Sequence, residues 1–121
     1  MRTKEVLIVV RRGHNYLVVH RSPENDAYWH QIAGGVEDGE TFAEAAVREL
    51  REETGLEAAV RTLGAPFRYE SVHVESFIVD APADWEPTLD WEHDEYRWLP
   101  RDEAAELLFW PEPAALLRSL Q

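Results

Sequence analysis

The sequence predicts an α/β fold, or α+β by some schemes: a sandwich of strands and helices. Three observations carry this. Several short β-branched runs have the character of strands, one long amphipathic helix falls between them, and two shorter helical patterns close the chain. A chain of 121 residues with 45% hydrophobic residues suits one core-forming domain. No repeat, low-complexity tract or linker divides it, so residues 1–121 are expected to be a single domain.

Residues 5–10 form an apolar, β-branched run that predicts a buried strand. Gly13 and Asn15 mark a turn, and residues 16–20 supply a second strand, so the two are expected to form a hairpin. Residues 22–27 are polar, contain Pro23 and predict a loop. Residues 29–32 predict a short strand feeding the glycine pair Gly34 and Gly35. The clearest element is a helix over 41–54. Thr41 with Glu44 makes a capping box, Ala43, Ala46, Val47 and Leu50 make an apolar stripe, and Gly55 provides a left-handed stop.

Strand-like runs follow at 58–63, 67–70 and 72–80, the last with good alternation. Residues 81–89, with Pro82 and Pro87, predict a loop, and 96–99 a short strand. Asp102 is expected to cap a helix over 103–108, and Pro113 to start a final helix through Leu120. Trp110, Pro111, Leu116 and Leu117 suit the packing of that last helix.

The net charge, 12 − 24 = −12, argues against generic nucleic-acid binding, which needs a basic footprint. An acidic chain can still take an anionic substrate where metal ions neutralise the site. The absence of cysteine excludes disulfides, thiolate metal sites and a cysteine nucleophile. The apolar run at 6–10 is too short for a signal-peptide core, and no stretch approaches the ~20 residues of a membrane span. A cytoplasmic protein with no membrane or nucleic-acid partner is the expectation. The oligomeric state is open, with a homodimer as one option.

Function concentrates in residues 34–56. Glu49, Glu52 and Glu53 share one helical face, where like charges cost a few tenths of a kcal/mol per pair. A solvated helix face would explain them singly. Three features point elsewhere. Arg48 and Glu52 are four residues apart, so the arginine can hold one carboxylate. The cluster lies in the last turns, where the helix dipole disfavours negative charge. A glycine-rich loop, 34–39, lets backbone carbonyls approach a ligand closely. A divalent cation would convert the repulsion into binding.

The spacing Gly34, Glu40, Arg48, Glu49, Leu50, Glu52, Glu53, Gly55 and Leu56 resembles the Nudix box at every specified position. The box covers about a fifth of the chain, and the flanking strand pattern is similar to the family across the whole domain. The resemblance implies an α/β/α sandwich with a mixed sheet. It also implies Mg²⁺- or Mn²⁺-dependent hydrolysis of a nucleoside diphosphate linked to another moiety. Hard cations held by oxygen ligands would neutralise the pyrophosphate and lower the pKa of a bound water.

By the same resemblance, Glu49, Glu52 and Glu53 would be metal ligands, one doubling as general base, and the Gly34 carbonyl a backbone ligand. Arg48 would orient a carboxylate and Glu40 would support the loop. Gly35, Gly39 and Gly55 would serve the motif's backbone, and Glu37 and Glu44 would be structural.

Outside the box, Glu92-His93-Asp94-Glu95-Tyr96-Arg97-Trp98 stands out. An acidic loop entering a strand explains Tyr96 and Trp98 as packed aromatics but leaves Glu92 and His93 unexplained. The pattern resembles one in pterin triphosphate and dATP pyrophosphohydrolases, where the glutamate is a further metal ligand, and in diadenosine tetraphosphate hydrolases. Glu92 is therefore the expected extra ligand or base, with Glu95 as its competitor. Trp29 is a candidate for the substrate base, against plain core packing. Arg21, Arg2 and Lys4 could meet phosphates, Arg21 foremost because it ends a strand leading toward the loop. His20, His30 and His73 carry no pattern.

The substrate expectation is a nucleoside triphosphate-like molecule, cleaved to monophosphate and pyrophosphate. The Trp29-His30-Gln31 entry to the box resembles the pterin and dNTP group. Tyr69 hints at diadenosine polyphosphates, though its offset is short. ADP-ribose or a nucleotide sugar is weaker, since residues 70–74 lack the proline that those enzymes tend to carry. A non-catalytic nucleotide sensor is the different-class alternative. Such modules usually lose box glutamates, whereas all are kept here.

Overall fold

The computed structural model describes residues 3–120, so the Arg2 expectation lies outside the described residues. The first strand, β1 (Lys4–Arg12), is the centre of the sheet. Val6, Ile8 and Val10 enter one core, and Leu7 and Val9 the other. A strand buried on both faces reads as a continuous apolar run, which is what residues 6–10 supply.

The remaining elements are β2 (Asn15–Arg21), a 3₁₀ turn (Pro23–Asn25), β3 (Trp29–His30) and β4 (Ile32–Gly35), followed by α1 (Phe42–Thr54). Then come β5 (Arg61–Thr62), β6 (Phe67–Tyr69), β7 (Val72–Asp80), β8 (His93–Pro100), α2 (Arg101–Leu107) and α3 (Pro111–Arg118). β1 runs parallel to β7 and antiparallel to β4, so the sheet is mixed. Helix α1 covers one face through Ala45, Ala46 and Leu50. Helices α2 and α3 cover the other through Ala104, Ala105, Ala114 and Leu117. The result is the expected α/β/α sandwich.

Several local expectations need correction. The β1–β2 hairpin holds only at Arg11–Tyr16 and Arg12–Asn15. Beyond the turn the strands part, β1 taking β4 and β2 taking β8, because a turn dictates register only near itself. Gly34 and Gly35 lie in strand β4, pairing with Val6 and Glu5, rather than in a loop. The buried face of α1 is rotated from the predicted stripe. Ala43 is exposed, whereas Ala45 and Glu53 are buried. The expected strand at 58–63 shrinks to β5. Asp102 does not cap α2, whose N-cap is Pro100, and α3 begins at Pro111. Proline suits that first turn because its missing N–H has no helical partner there.

The capping box on α1 is present in full. The Glu44 N–H donates to Thr41 Oγ1 at 3.1 Å, and the Thr41 N–H donates to Glu44 Oε1 at 2.9 Å. Gly55 ends the helix at φ 83°. Among the described residues, no helix is long and apolar enough to cross a membrane.

Candidate active site

Strand β4 and helix α1 meet at Gly34. A Cβ on Gly34 would lie 2.1 Å from Cδ of Glu49, so a side chain there would displace the carboxylate. The glycine is thus required by close approach, and it brings the β4 backbone directly against the acidic end of α1.

Arg48 organises one side of that contact. Its Nε donates to Glu40 Oε2 at 2.7 Å, and Nη2 donates to Glu40 Oε1 at 3.0 Å and to the Gly35 carbonyl at 2.8 Å. Nη1 donates to Glu49 at 2.9 Å and to Glu52 at 3.1 Å. A guanidinium has five N–H donors, and every one is used. Hydrogen bonding to Glu40 raises the Arg48 pKa, and the same pairing lowers that of Glu40. Glu40 also accepts the Glu37 N–H at 2.9 Å, which closes the turn before the helix. The expected loop-supporting role of Glu40 therefore has a definite geometry.

The three glutamates of α1 have different surroundings. Glu52 is turned to Arg48 and is half exposed. Glu49 is mostly covered, and Glu53 is buried, with 4% of its surface exposed. Burial pushes the Glu53 carboxyl up to about 11, helped by Glu49 and by the charges of Asp90 and Glu92. Without a cation, Glu53 therefore holds a proton at neutral pH. A single step along the helix separates the fates of Glu52 and Glu53, because neighbours on a helix point about 100° apart.

A cleft of about 270 Å³ opens over this pair. Glu49, Glu53, Glu92 and Gly34 line it, together with Arg21, Tyr28, His30 and Trp110. Glu92 faces the cleft, whereas its competitor Glu95 lies on β8 and pairs with Arg97 at 3.2 Å. The loop carrying Glu92 is tied down through Glu86. That carboxylate accepts from Trp98 Nε1 at 2.9 Å, Tyr96 Oη at 3.1 Å and Arg12 Nη1 at 2.5 Å. The two aromatics after Glu92 thus pack and also anchor the loop.

Arg21 lines the cleft as expected. Its Nε donates to the Asn25 carbonyl at 2.9 Å, and its guanidinium lies 5.5 Å from the Tyr28 ring. Trp29 does not line it. Its ring packs against His20 at 5.0 Å and beneath the Arg97 guanidinium at 4.7 Å. Alternation explains this: Tyr28 and His30 point one way and Trp29 the other. Gln31 is likewise buried, away from the cleft. Lys4 is exposed at the start of β1. His20 pairs with Asp94 at 2.8 Å, and His73 pairs with Glu75. His30 sits in the cleft wall, where burial lowers its pKa to about 4 and keeps it neutral.

Sequence reasoning assigned no site role to Tyr28, Trp110, Asp90 or His93. The rings of Tyr28 and Phe109 stack at 5.2 Å, and Trp110 meets Tyr28 edge-on at 5.9 Å. Residues 28 and 110 are far apart in sequence, and no local signal joins them. Asp90 and His93 did leave a trace, an acid and a histidine three residues apart beside Glu92.

A family model described as "NUDIX domain" matches residues 1–120. An octanoyltransferase from Myxococcus xanthus is 36% identical over 118 residues, covering 89% of this chain but 33% of the relative, so the chain spans about a third of that protein's length. The asymmetrical bis(5'-nucleosyl)-tetraphosphatase of Mus musculus is 36% identical over 100 residues, covering 75% of this chain and 68% of the relative. Among solved structures, the E. coli dihydroneopterin triphosphate pyrophosphohydrolase superposes with a TM-score of 0.84 at 21% identity, covering 97% of this chain and 93% of that one. At that identity the likeness shows the fold alone.

Proposed function

The chain belongs to the Nudix family, and from that premise we propose that it is a metal-dependent pyrophosphohydrolase. Its substrate would be nucleoside triphosphate-like, an NTP, dNTP or pterin triphosphate, cleaved to a monophosphate and pyrophosphate. One observation carries this reading: Glu53 is buried within reach of the charges of Glu49, Asp90 and Glu92, and it lines one cleft with Glu49, Glu92 and Gly34.

The donor set fits a hard divalent cation. Among the described residues, no three metal-ligating side chains already converge into a cage. Mg²⁺ does not need one. It is commonly held by one or two carboxylates, with waters and substrate phosphates completing its shell. Glu49 and Glu53 would be those carboxylates, with the Gly34 carbonyl beside them and Glu92 across the cleft. Bound there, Mg²⁺ or Mn²⁺ would neutralise the pyrophosphate and acidify a water.

The chain's own residues would do the rest. Arg48 holds Glu49 in one orientation, which removes a side-chain rotation from the binding step. Whichever of Glu49, Glu53 and Glu92 is left free of the cation would accept the proton of the attacking water. Arg21 would meet the phosphate chain, and Tyr28 and Trp110 offer flat faces for a base or pterin ring.

A dinucleoside polyphosphate is the second reading. The cleft carries Phe67 and Tyr69 in addition to Tyr28 and Trp110, and the mouse relative is named for a dinucleoside tetraphosphate. A panel of nucleoside triphosphates, a pterin triphosphate, diadenosine tetraphosphate and ADP-ribose, assayed with Mg²⁺ and Mn²⁺, tests both. Preferred release of pyrophosphate from a triphosphate supports the first, and preferred cleavage of the dinucleotide supports the second. Tight nucleotide binding with no turnover of any compound would leave a nucleotide sensor and sink the enzyme reading.

A further inference from the structure

We infer that Asp90 and His93 form a buried positioning clamp for the acidic centre, holding Glu92 in the cleft and backing the Glu53 carboxylate. This rests on the reading of Glu53 and Glu92 as cation-facing groups. His93 Nδ1 lies 2.8 Å from Asp90 Oδ1, and the imidazole is 1% exposed. A carboxylate only accepts, so Nδ1 carries the hydrogen. The His93 backbone N–H also reaches the Asp90 carbonyl at 3.3 Å, so side chain and main chain close the same turn. The Glu92 carbonyl, inside that turn, accepts the Ser22 N–H at 2.9 Å. The turn is thereby pinned to the end of β2, and Glu92 is projected into the cleft.

The other edge of the ring faces α1. His93 Nε2 lies 3.8 Å from Glu53 Oε1, too far for a hydrogen bond but close enough to limit where the carboxylate can swing. One side chain therefore touches a carboxylate of the helix and fixes the backbone of the loop that faces it. A leucine would fill the same volume with no hydrogen bond to lock its orientation. Burying an imidazole and a carboxylate together costs desolvation, so a plain packing role would favour an apolar residue here. Groups that orient metal ligands typically affect metal affinity by about 10- to 100-fold when removed.

Asparagine and glutamine separate the two edges of the ring. The side-chain N–H of asparagine falls near the position of Nδ1, whereas that of glutamine falls near Nε2. Mn²⁺ binding to the full chain without substrate, followed by electron paramagnetic resonance, reads the effect directly. His93→Ala and Asp90→Ala are expected to weaken Mn²⁺ binding by about tenfold or more. Turnover at saturating Mn²⁺ should fall less than the apparent metal affinity does. His93→Asn should recover most of the loss, and His93→Gln should not.

Folded alanine variants that bind Mn²⁺ within twofold of wild type would overturn the clamp. Should the alanine variants fail to fold, His93→Asn and His93→Gln decide: equal affinities for the two would also overturn it. The underlying reading fails in a different way. Wild type that binds no Mn²⁺, or Glu53→Gln that binds it unchanged, would remove the cation site itself.

Discussion

Arg48 and Glu53 are five residues apart on one helix, and each is ringed by carboxylates, yet their situations are opposite. Around Arg48, Glu37, Glu40, Glu49 and Glu52 meet a guanidinium. Each carboxylate there has a cationic partner, and the geometry is closed. Around Glu53, the charges of Glu49, Asp90 and Glu92 push the same way, and burial adds to them. The first region is a finished structural network. In the second no Arg or Lys pairs with Glu53 among the described residues, and that deficit of positive charge is the physical content of the proposed metal site. Glu49 belongs to both, held by Arg48 on one side and facing the cleft on the other.

The largest effect should come from removing the charge deficit. Glu53→Gln is expected to reduce Mg²⁺-dependent turnover by at least about a hundredfold, measured as initial rates on the preferred substrate. Glu52→Gln, on the compensated side, should cost less than about tenfold. Equal losses for the two would break the comparison, because they would mean that Glu52 swings into the cleft during turnover.

On the compensated side the cost should appear as stability. Arg48→Ala leaves Glu40 and Glu49 without their guanidinium and is expected to destabilise the fold by about 3 kcal/mol, read from urea unfolding. Arg48→Lys should recover only part of this, since an ammonium cannot reproduce the planar fork. Gly34→Ala links the two regions. Its Cβ would collide with the Glu49 carboxylate, so activity should fall about tenfold or more while the melting temperature changes little. Unchanged activity would show that Glu49 can move without consequence.

The smallest effect has the most telling sign. The Glu53 carboxyl is raised in the folded state from its ordinary 4.5 to about 11. Between those values the unfolded chain binds fewer protons at this residue than the folded one. The stability of the metal-free protein should therefore fall as pH rises above about 4.5 on this group's account. Glu53→Gln removes the term, so the metal-free variant should melt a few degrees higher than wild type at pH 8 and equally at pH 4. Saturating Mn²⁺ should reverse the order at pH 8, because wild type alone gains binding energy. A lower melting temperature for the metal-free variant at pH 8 would contradict the deficit.

The elements with strong local signals were legible in the sequence. Thr41 and Glu44 specify the start of α1 and Gly55 its end, because capping is decided within a few residues. The alternating run at residues 72–80 and the apolar run at residues 6–10 were equally clear, since each strand carries its own burial pattern. The partners of those strands were not legible. The parting of β1 and β2 depends on β4 and β8, which compete for the same edges from a distance. Likewise Trp29 looked like a substrate contact until the alternation along residues 28–30 turned it away and left Tyr28 and His30 lining the cleft.

The sequence by itself determined the chemistry on offer: the spacing that places Arg48, Glu49, Glu52 and Glu53 on one helix behind Gly34, and the family that this spacing marks. Spacing on a helix is local geometry, so no further information was needed. Only the tertiary structure decided which carboxylates lose their water. It buries Glu53, leaves Glu52 in solvent beside Arg48, and brings Asp90, Glu92 and His93 to the buried side. Charge type is written in the sequence, but the cost of a charge depends on the dielectric and the neighbours around it, and these exist only after distant segments have packed.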